Sequence, residues 1–133
     1  MHGNRAFIKA LVKGLMPALS GGMNGVDIVI CPPFPYLQLA DSLINGAEIV
    51  LGAQNIATRE SGAFTGEVSG SMLADFRVRY VIVGHSERRS LMSESDETVA
   101  EKFQSARLSG LIPILCVWVR PWPSEIVASL NRS

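Results

Sequence analysis

Helical and continuous apolar patterns alternate along the 133-residue chain. Phe7, Ile8, Leu11, Val12 and Leu15 recur at helical spacing behind Asn4, a residue suited to an N-cap, which predicts a first helix. "VDIVICPP" (26–33) is a short β-branched run stopped by two prolines. Leu37, Leu39, Ala40, Leu43 and Ile44 mark a second helix that ends at Asn45-Gly46. "EIVLGAQN" (48–55), "RYVIVGH" (79–85) and "LIPILCV" (111–117) are the remaining strand candidates. Val99, Phe103 and Ala106 form one face of a helix between Asp96 and Ser109, with Gly110 as its C′ residue. None of the strand candidates alternates apolar with polar. They are apolar throughout, as strands covered on both faces are. Strand, helix, strand in succession predicts an α/β fold with a parallel sheet.

One connection breaks the rhythm. Residues 52–76, "GAQNIATRESGAFTGEVSGSMLADF", show no periodicity until a turn of helix at Met72–Phe76. Irregular connections of that length are uncommon inside compact domains and usually functional or disordered. Glycines at 62, 66 and 70 around Phe64 point to a shaped projection. With no low-complexity stretch, charge run or linker, the chain reads as one domain.

Composition narrows the functional classes. The chain is 47% hydrophobic and 18% charged, against roughly 25% charged in ordinary soluble domains. That excess of apolar surface suits a buried sheet or an association surface. Twelve basic residues balance twelve acidic ones, so no global field draws the chain to nucleic acid or to a membrane surface. No apolar run reaches the roughly 18 residues of a membrane span, and the start lacks the layout of a signal peptide. A cytoplasmic location is expected. Cys31 and Cys116 lie in apolar runs and read as reduced, buried thiols, with a disulfide or a reactive thiol as the alternatives. No metal site and no cofactor is expected.

His85 is the candidate for chemistry. It ends the run "YVIVG", and parallel α/β folds bind ligands beyond the carboxyl ends of their strands. Ser86-Glu87-Arg88-Arg89 can open a short helix with Ser86 as N-cap. Partial positive charge at a helix N-terminus favours a neutral imidazole nearby. Such an imidazole can donate a hydrogen bond to an oxygen on which charge develops. Position alone also fits a histidine that merely caps the strand end and bonds its backbone.

"YVIVGHSERR" (80–89) resembles the fourth-strand signature of the triosephosphate isomerase family, bacterial type. "CPPFPYL" (31–37) resembles that family's second-strand end, and "LGAQN" (51–55) with "SGAFTGEVS" (61–69) its third strand and intersubunit loop. "GLIPILCV" (110–117) resembles its fifth strand, and "MHGN" the exit of its first loop. The resemblance implies a partial TIM (β/α)8 barrel of about four parallel strands, the family's second to fifth, with their helices. It implies that His85 is the electrophile polarising a triose phosphate carbonyl, a neutral histidine paired in this family with a glutamate base. Ser86, Glu87 and Cys116 would support that site. Thr65, Gly66 and Glu67 would form the tip of a loop entering a second subunit of a homodimer, and Met1 and Arg88 would belong to the surface receiving it. The activity implied is interconversion of dihydroxyacetone phosphate and glyceraldehyde 3-phosphate in glycolysis and gluconeogenesis, without a cofactor.

The same resemblance marks what these residues lack. The family's Asn-Trp-Lys stands before Met-His-Gly, and no carboxylate here matches the base. Glu87 and Glu94 fall in the wrong motif, and Glu125 lies after Val117. Residues 1–117 are therefore expected to be an incomplete barrel domain, truncated at both ends, and 118–133 a non-homologous tail. The genetic code accounts for that tail. Trp118-Val119 is encoded TGG-GTN, and reading two bases on gives glycine. The next residues permit glutamate, threonine and leucine, and Trp122-Pro123 forces alanine. Gly-Glu-Thr-Leu-Ala is how the family sequence continues, so a shifted frame is expected. The chain as written is expected to be inactive alone. The alternative function is a non-catalytic half-barrel that at most associates with a complete subunit. Apolar strands left at both sheet edges lead to an expectation of self-association, aggregation or loose packing.

Overall fold

The computed structural model describes residues 3–19 and 25–117. The tail from 118 onward and Met1 lie outside the described residues. Helix α1 (Arg5–Leu19) leads to strand β1 (Ile28–Ile30), a 3₁₀ turn (Phe34–Tyr36) and α2 (Leu37–Ile44). Strand β2 (Ile49–Ala53), α3 (Gly70–Asp75), β3 (Tyr80–Val83), α4 (Ser86–Leu91), α5 (Asp96–Leu108) and β4 (Ile112–Leu115) follow. The four strands form one parallel sheet in the order β1-β2-β3-β4. The α/β reading, with four parallel strands and helices between them, holds.

Local chemistry sets the element ends. The Asn4 side chain accepts the Phe7 amide at 2.9 Å, as its N-cap reading predicts. Gly46 and Gly110 take the left-handed conformation (φ +81° and +75°) beyond α2 and α5, where a Cβ is penalised. Ser69 and Ser95 cap α3 and α5 by accepting the Met72 and Thr98 amides. Between β2 and α3 the irregular segment is closed at its base, where the Ala57 N–H donates to the Val68 carbonyl at 2.9 Å. The Phe64 ring lies over Gly62, whose missing Cβ would stand 2.8 Å from it.

The core lies between the sheet and its helices. Ile49, Leu51, Ala53, Val81 and Val83 present one sheet face to Ile8, Val12, Leu37, Ala40, Ile44, Leu73 and Ala106. Two expectations need correction. Phe7 and Leu11 are exposed, because α1 turns its Ile8–Val12–Leu19 stripe inward instead. The strands are also not all covered on both faces. In β4, Ile112, Ile114 and Leu115 are 41%, 38% and 47% exposed, since no described strand pairs with its outer edge. Apolar sequence records what a strand is built to touch, not whether the partner is present.

Candidate functional site

His85 stands at the carboxyl end of β3, immediately after a glycine that makes the turn possible. Gly84 has φ +71°, and a Cβ there would come 2.8 Å from Val99 and 2.9 Å from the Arg89 guanidinium. The turn leaves His85 extended (φ −55°, ψ 142°), and its own carbonyl accepts the Arg88 and Arg89 amides. His85 is thus the N-cap of α4. This corrects the reading of Ser86 as the cap: the left-handed glycine starts the helix one residue earlier, and exposed Ser86 becomes its first residue.

The imidazole is oriented by that cap. The Glu87 amide donates to Nδ1 at 3.3 Å. A ring nitrogen that accepts an N–H carries no proton, so the neutral ring holds its proton on Nε2. The Glu87 carboxylate lies 3.9 Å from Nδ1, beyond hydrogen-bonding reach. His85 stays partly open to solvent, with 45% of its side chain exposed.

Arg89 fixes the turn from below. Its Nε donates to the Gly84 carbonyl at 2.7 Å, one Nη to Asp96 at 2.5 Å and the other to the Cys116 carbonyl at 3.4 Å. One planar guanidinium therefore ties the end of β3 to the start of α5 and the end of β4. Cys116 enters the site through its backbone. Both cysteines are free, as the reading of reduced thiols has it, but only partly buried where buried thiols were expected. Burial pushes the Cys31 thiol up to about 11. Gln54 donates to the Cys31 carbonyl at 2.9 Å and joins the ends of β1 and β2.

A buried ionic cluster lies behind the helix that His85 caps. Glu94 Oε1 accepts from Arg88 at 2.6 Å and from Lys102 at 2.5 Å, and Lys102 also donates to Asn55 Oδ1 at 2.7 Å. The Glu94 and Lys102 side chains are 5% and 6% exposed. Burial pushes the Glu94 carboxyl up, but the hydrogen bonds and charges of Lys102 and Arg88 outweigh it and hold it below its ordinary value. Sequence reasoning missed this cluster, placing Arg88 on a subunit surface and dismissing Glu94. A signal was available: Lys102 shares the α5 stripe of Val99, Phe103 and Ala106, where an unpaired ammonium would be costly.

Thr65, Gly66 and Glu67 are exposed, with Gly66 at φ +92°. Arg88 is 29% exposed and engaged with Glu94. A shallow groove of about 490 Å³ lies elsewhere, between the loop and α5, lined by Thr58, Arg59, Glu60, Glu101, Gln104 and Leu108. None of these belongs to the His85 turn, so the groove is not the site of the chemistry. Among the described residues no group of three or more His, Cys, Asp and Glu side chains is placed to hold a metal ion. None of the described helices is long and apolar enough to cross a membrane.

Comparison with known proteins places this geometry. The triosephosphate isomerase family model matches residues 1–118. The triosephosphate isomerase of Thiobacillus denitrificans is 52% identical over 117 residues, covering 88% of this chain and 46% of that protein. Its counterpart in Symbiobacterium thermophilum is 50% identical over 117 residues, 88% of this chain and 45% of that protein. The crystal structure of triosephosphate isomerase from Bartonella henselae superposes with a TM-score of 0.78 at 33% identity, over 88% of this chain and 47% of that one. This chain spans just under half the length of the curated relatives it matches. The turn that holds His85, the four parallel strands and these matches agree: the chain belongs to the triosephosphate isomerase family.

Proposed function

We propose that His85 is the carbonyl-polarising group of a triose phosphate isomerisation site of which this chain carries one part. The observation that carries the reading is the Glu87 N–H donated to Nδ1. It leaves Nε2–H as the donor of the neutral ring at the carboxyl end of β3. When a base removes the proton from the carbon next to the substrate carbonyl, negative charge gathers on that oxygen. A donor already oriented there stabilises the enediolate without reorganising. A neutral donor also keeps its proton while doing so. Gly84 and Arg89 hold the donor in place, and Ser86 and Glu87 shape its approach.

The base and the substrate-binding cation have no match in the motifs of these 133 residues. A positioned general base contributes roughly 10²–10⁴-fold. The polypeptide alone is therefore inactive on triose phosphates at any useful rate. Its place of work is the cytoplasm, and the loop tip at Thr65–Glu67 is the contact to a second subunit in the complete homodimer. The test is a coupled assay of the purified chain with glyceraldehyde 3-phosphate, alongside His85→Gln to expose contaminating host enzyme. Turnover above that control would overturn the inactivity. Nitrogen NMR of the His85 ring checks the tautomer: a protonated Nδ1 in the neutral ring would overturn the role given to the Glu87 amide.

A further inference from the structure

Both peptide planes that flank the His85 Cα are pinned, and Arg89 takes part in each. The following plane is held by the His85 carbonyl, which accepts the Arg88 and Arg89 amides at 2.9 and 3.1 Å. The preceding plane is held by the Gly84 carbonyl, which accepts Arg89 Nε at 2.7 Å. A peptide unit is rigid, so holding the Gly84 oxygen also places the His85 nitrogen. Control matters here, because glycine leaves its own torsions freer than any other residue does. The two planes set the His85 backbone at φ −55° and ψ 142°, and the ring reaches the Glu87 amide from that backbone.

Arg89 is itself aimed by α5. The guanidinium is a flat fork, so its rotation decides whether Nε meets the Gly84 oxygen. One Nη donates to Asp96 Oδ1 at 2.5 Å, the other to the Cys116 carbonyl at 3.4 Å. The carboxylate is the short, charge-assisted contact and sets that rotation. Asp96 lies in the first turn of α5, whose start is fixed by Ser95 accepting the Thr98 amide. Val99, three residues on, shares that helix face and is 3% exposed. It stands against the same turn, since a Cβ on Gly84 would meet Val99 at 2.8 Å and the Arg89 guanidinium at 2.9 Å.

We propose that Asp96 is a positioning residue for His85. Through the Arg89 fork it keeps the Gly84–His85 plane, and with it the ring nitrogen that accepts the Glu87 amide, in place. The role rests on the reading of His85 as the carbonyl-polarising donor. The Asp96 side chain is 88% exposed, and an ion pair open to water adds little to stability. Its removal therefore changes the orientation of the ring more than the stability of the fold.

The test is nitrogen NMR of the neutral His85 ring in the 133-residue chain, beside urea unfolding. The unsubstituted chain is expected to show the Nε2–H tautomer alone. In Asp96→Ala the Nδ1–H form is expected to rise to roughly a tenth of the ring or more, as the bond from the Glu87 amide loosens. The unfolding midpoint is expected to fall by less than about 0.7 M. Glu97→Ala deletes the other acid of the same turn, which is not among the three acceptors of Arg89, and is expected to leave the ring unchanged. That control separates the Arg89 contact from the general effect of a negative charge at the start of α5. A protonated Nδ1 in the unsubstituted chain would overturn the reading of His85 and this proposal with it. With the expected tautomer in the unsubstituted chain, three results would overturn the proposal alone. They are a ring unmoved by Asp96→Ala, a ring moved equally by Glu97→Ala, and a ring change that comes only with a larger fall in the midpoint.

Discussion

Glu94→Gln removes the charge at the centre of the buried cluster while keeping its shape. Lys102, 6% exposed, then loses the anion 2.5 Å away and keeps the neutral Asn55 oxygen at 2.7 Å. Breaking a buried pair by deleting one partner costs about 3–5 kcal/mol, because the surviving charge is left without compensation. The retained Asn55 bond argues for the lower end. Arg88 adds little, since at 29% exposure it can turn to water. The expected loss is about 3 kcal/mol. With a urea m-value near 1.5 kcal/mol per molar, that moves the unfolding midpoint down by roughly 2 M. The assay is urea unfolding followed by circular dichroism at one protein concentration, because association adds to apparent stability.

A companion substitution separates charge from packing. Lys102→Met in the Glu94→Gln background removes the stranded ammonium and is expected to recover more than about 1 kcal/mol. The pH dependence has a fixed sign. Glu94 is held below its ordinary value of 4.5 in the folded chain. Its contribution is full above that value and is lost as pH falls through the lower folded value. The Glu94→Gln curve should lack this component and lie flatter in that window. A loss under about 1 kcal/mol, with no recovery on adding Lys102→Met, would refute the assignment of Glu94 as the cluster's central charge.

Gly84→Ala forces a side chain into a left-handed turn with 2.8 Å to Val99; a loss of at least about 1–3 kcal/mol is expected by thermal or urea unfolding, and an unchanged midpoint would mean that the turn is not as described. Cys31, with its thiol pushed up to about 11 from 9.0, should be alkylated by iodoacetamide at pH 7.5 about a hundredfold more slowly than an ordinary thiol. Mass spectrometry of the labelled peptide checks this, and reaction at the free rate would contradict it. Ser95→Ala deletes the hydroxyl that accepts the Thr98 amide and should cost about 1 kcal/mol.

Much of this fold is legible in the sequence because its signals are local. Asn4 before an apolar stripe, Asn45-Gly46 after one, and Gly110 after another each act within a few residues of the end they set. His85 is legible for the same reason: an apolar run, a glycine and a charged segment place it at a strand end. What escaped depends on distance. The capping role went to Ser86 because serine is the commoner cap, and only the left-handed Gly84 moves the boundary to His85. The partners of Glu94 come from α4, from α5 and, through Lys102, from the end of β2, 33 to 47 residues before its neighbours in the cluster. No periodicity carries that information.

Position and completion have separate causes in this chain. The groups that hold His85 are all its own: the turn at Gly84, the Glu87 amide on Nδ1 and the Arg89 guanidinium bonded to three acceptors. The Arg89 side chain is 18% exposed, and two of its acceptors are backbone carbonyls at the ends of β3 and β4. This clamp closes across one pair of adjacent strands and needs no others. The sheet interior is different, because Ile112 and Ile114 have nothing opposite them among the described residues. Under the proposed function, the His85 ring can therefore keep its orientation without the rest of the site. Orientation of the ring is a property of residues 84–116, whereas under the proposed function proton abstraction falls to groups outside them. Tautomer and turnover are accordingly independent observables, and finding the first without the second is what this division of labour predicts.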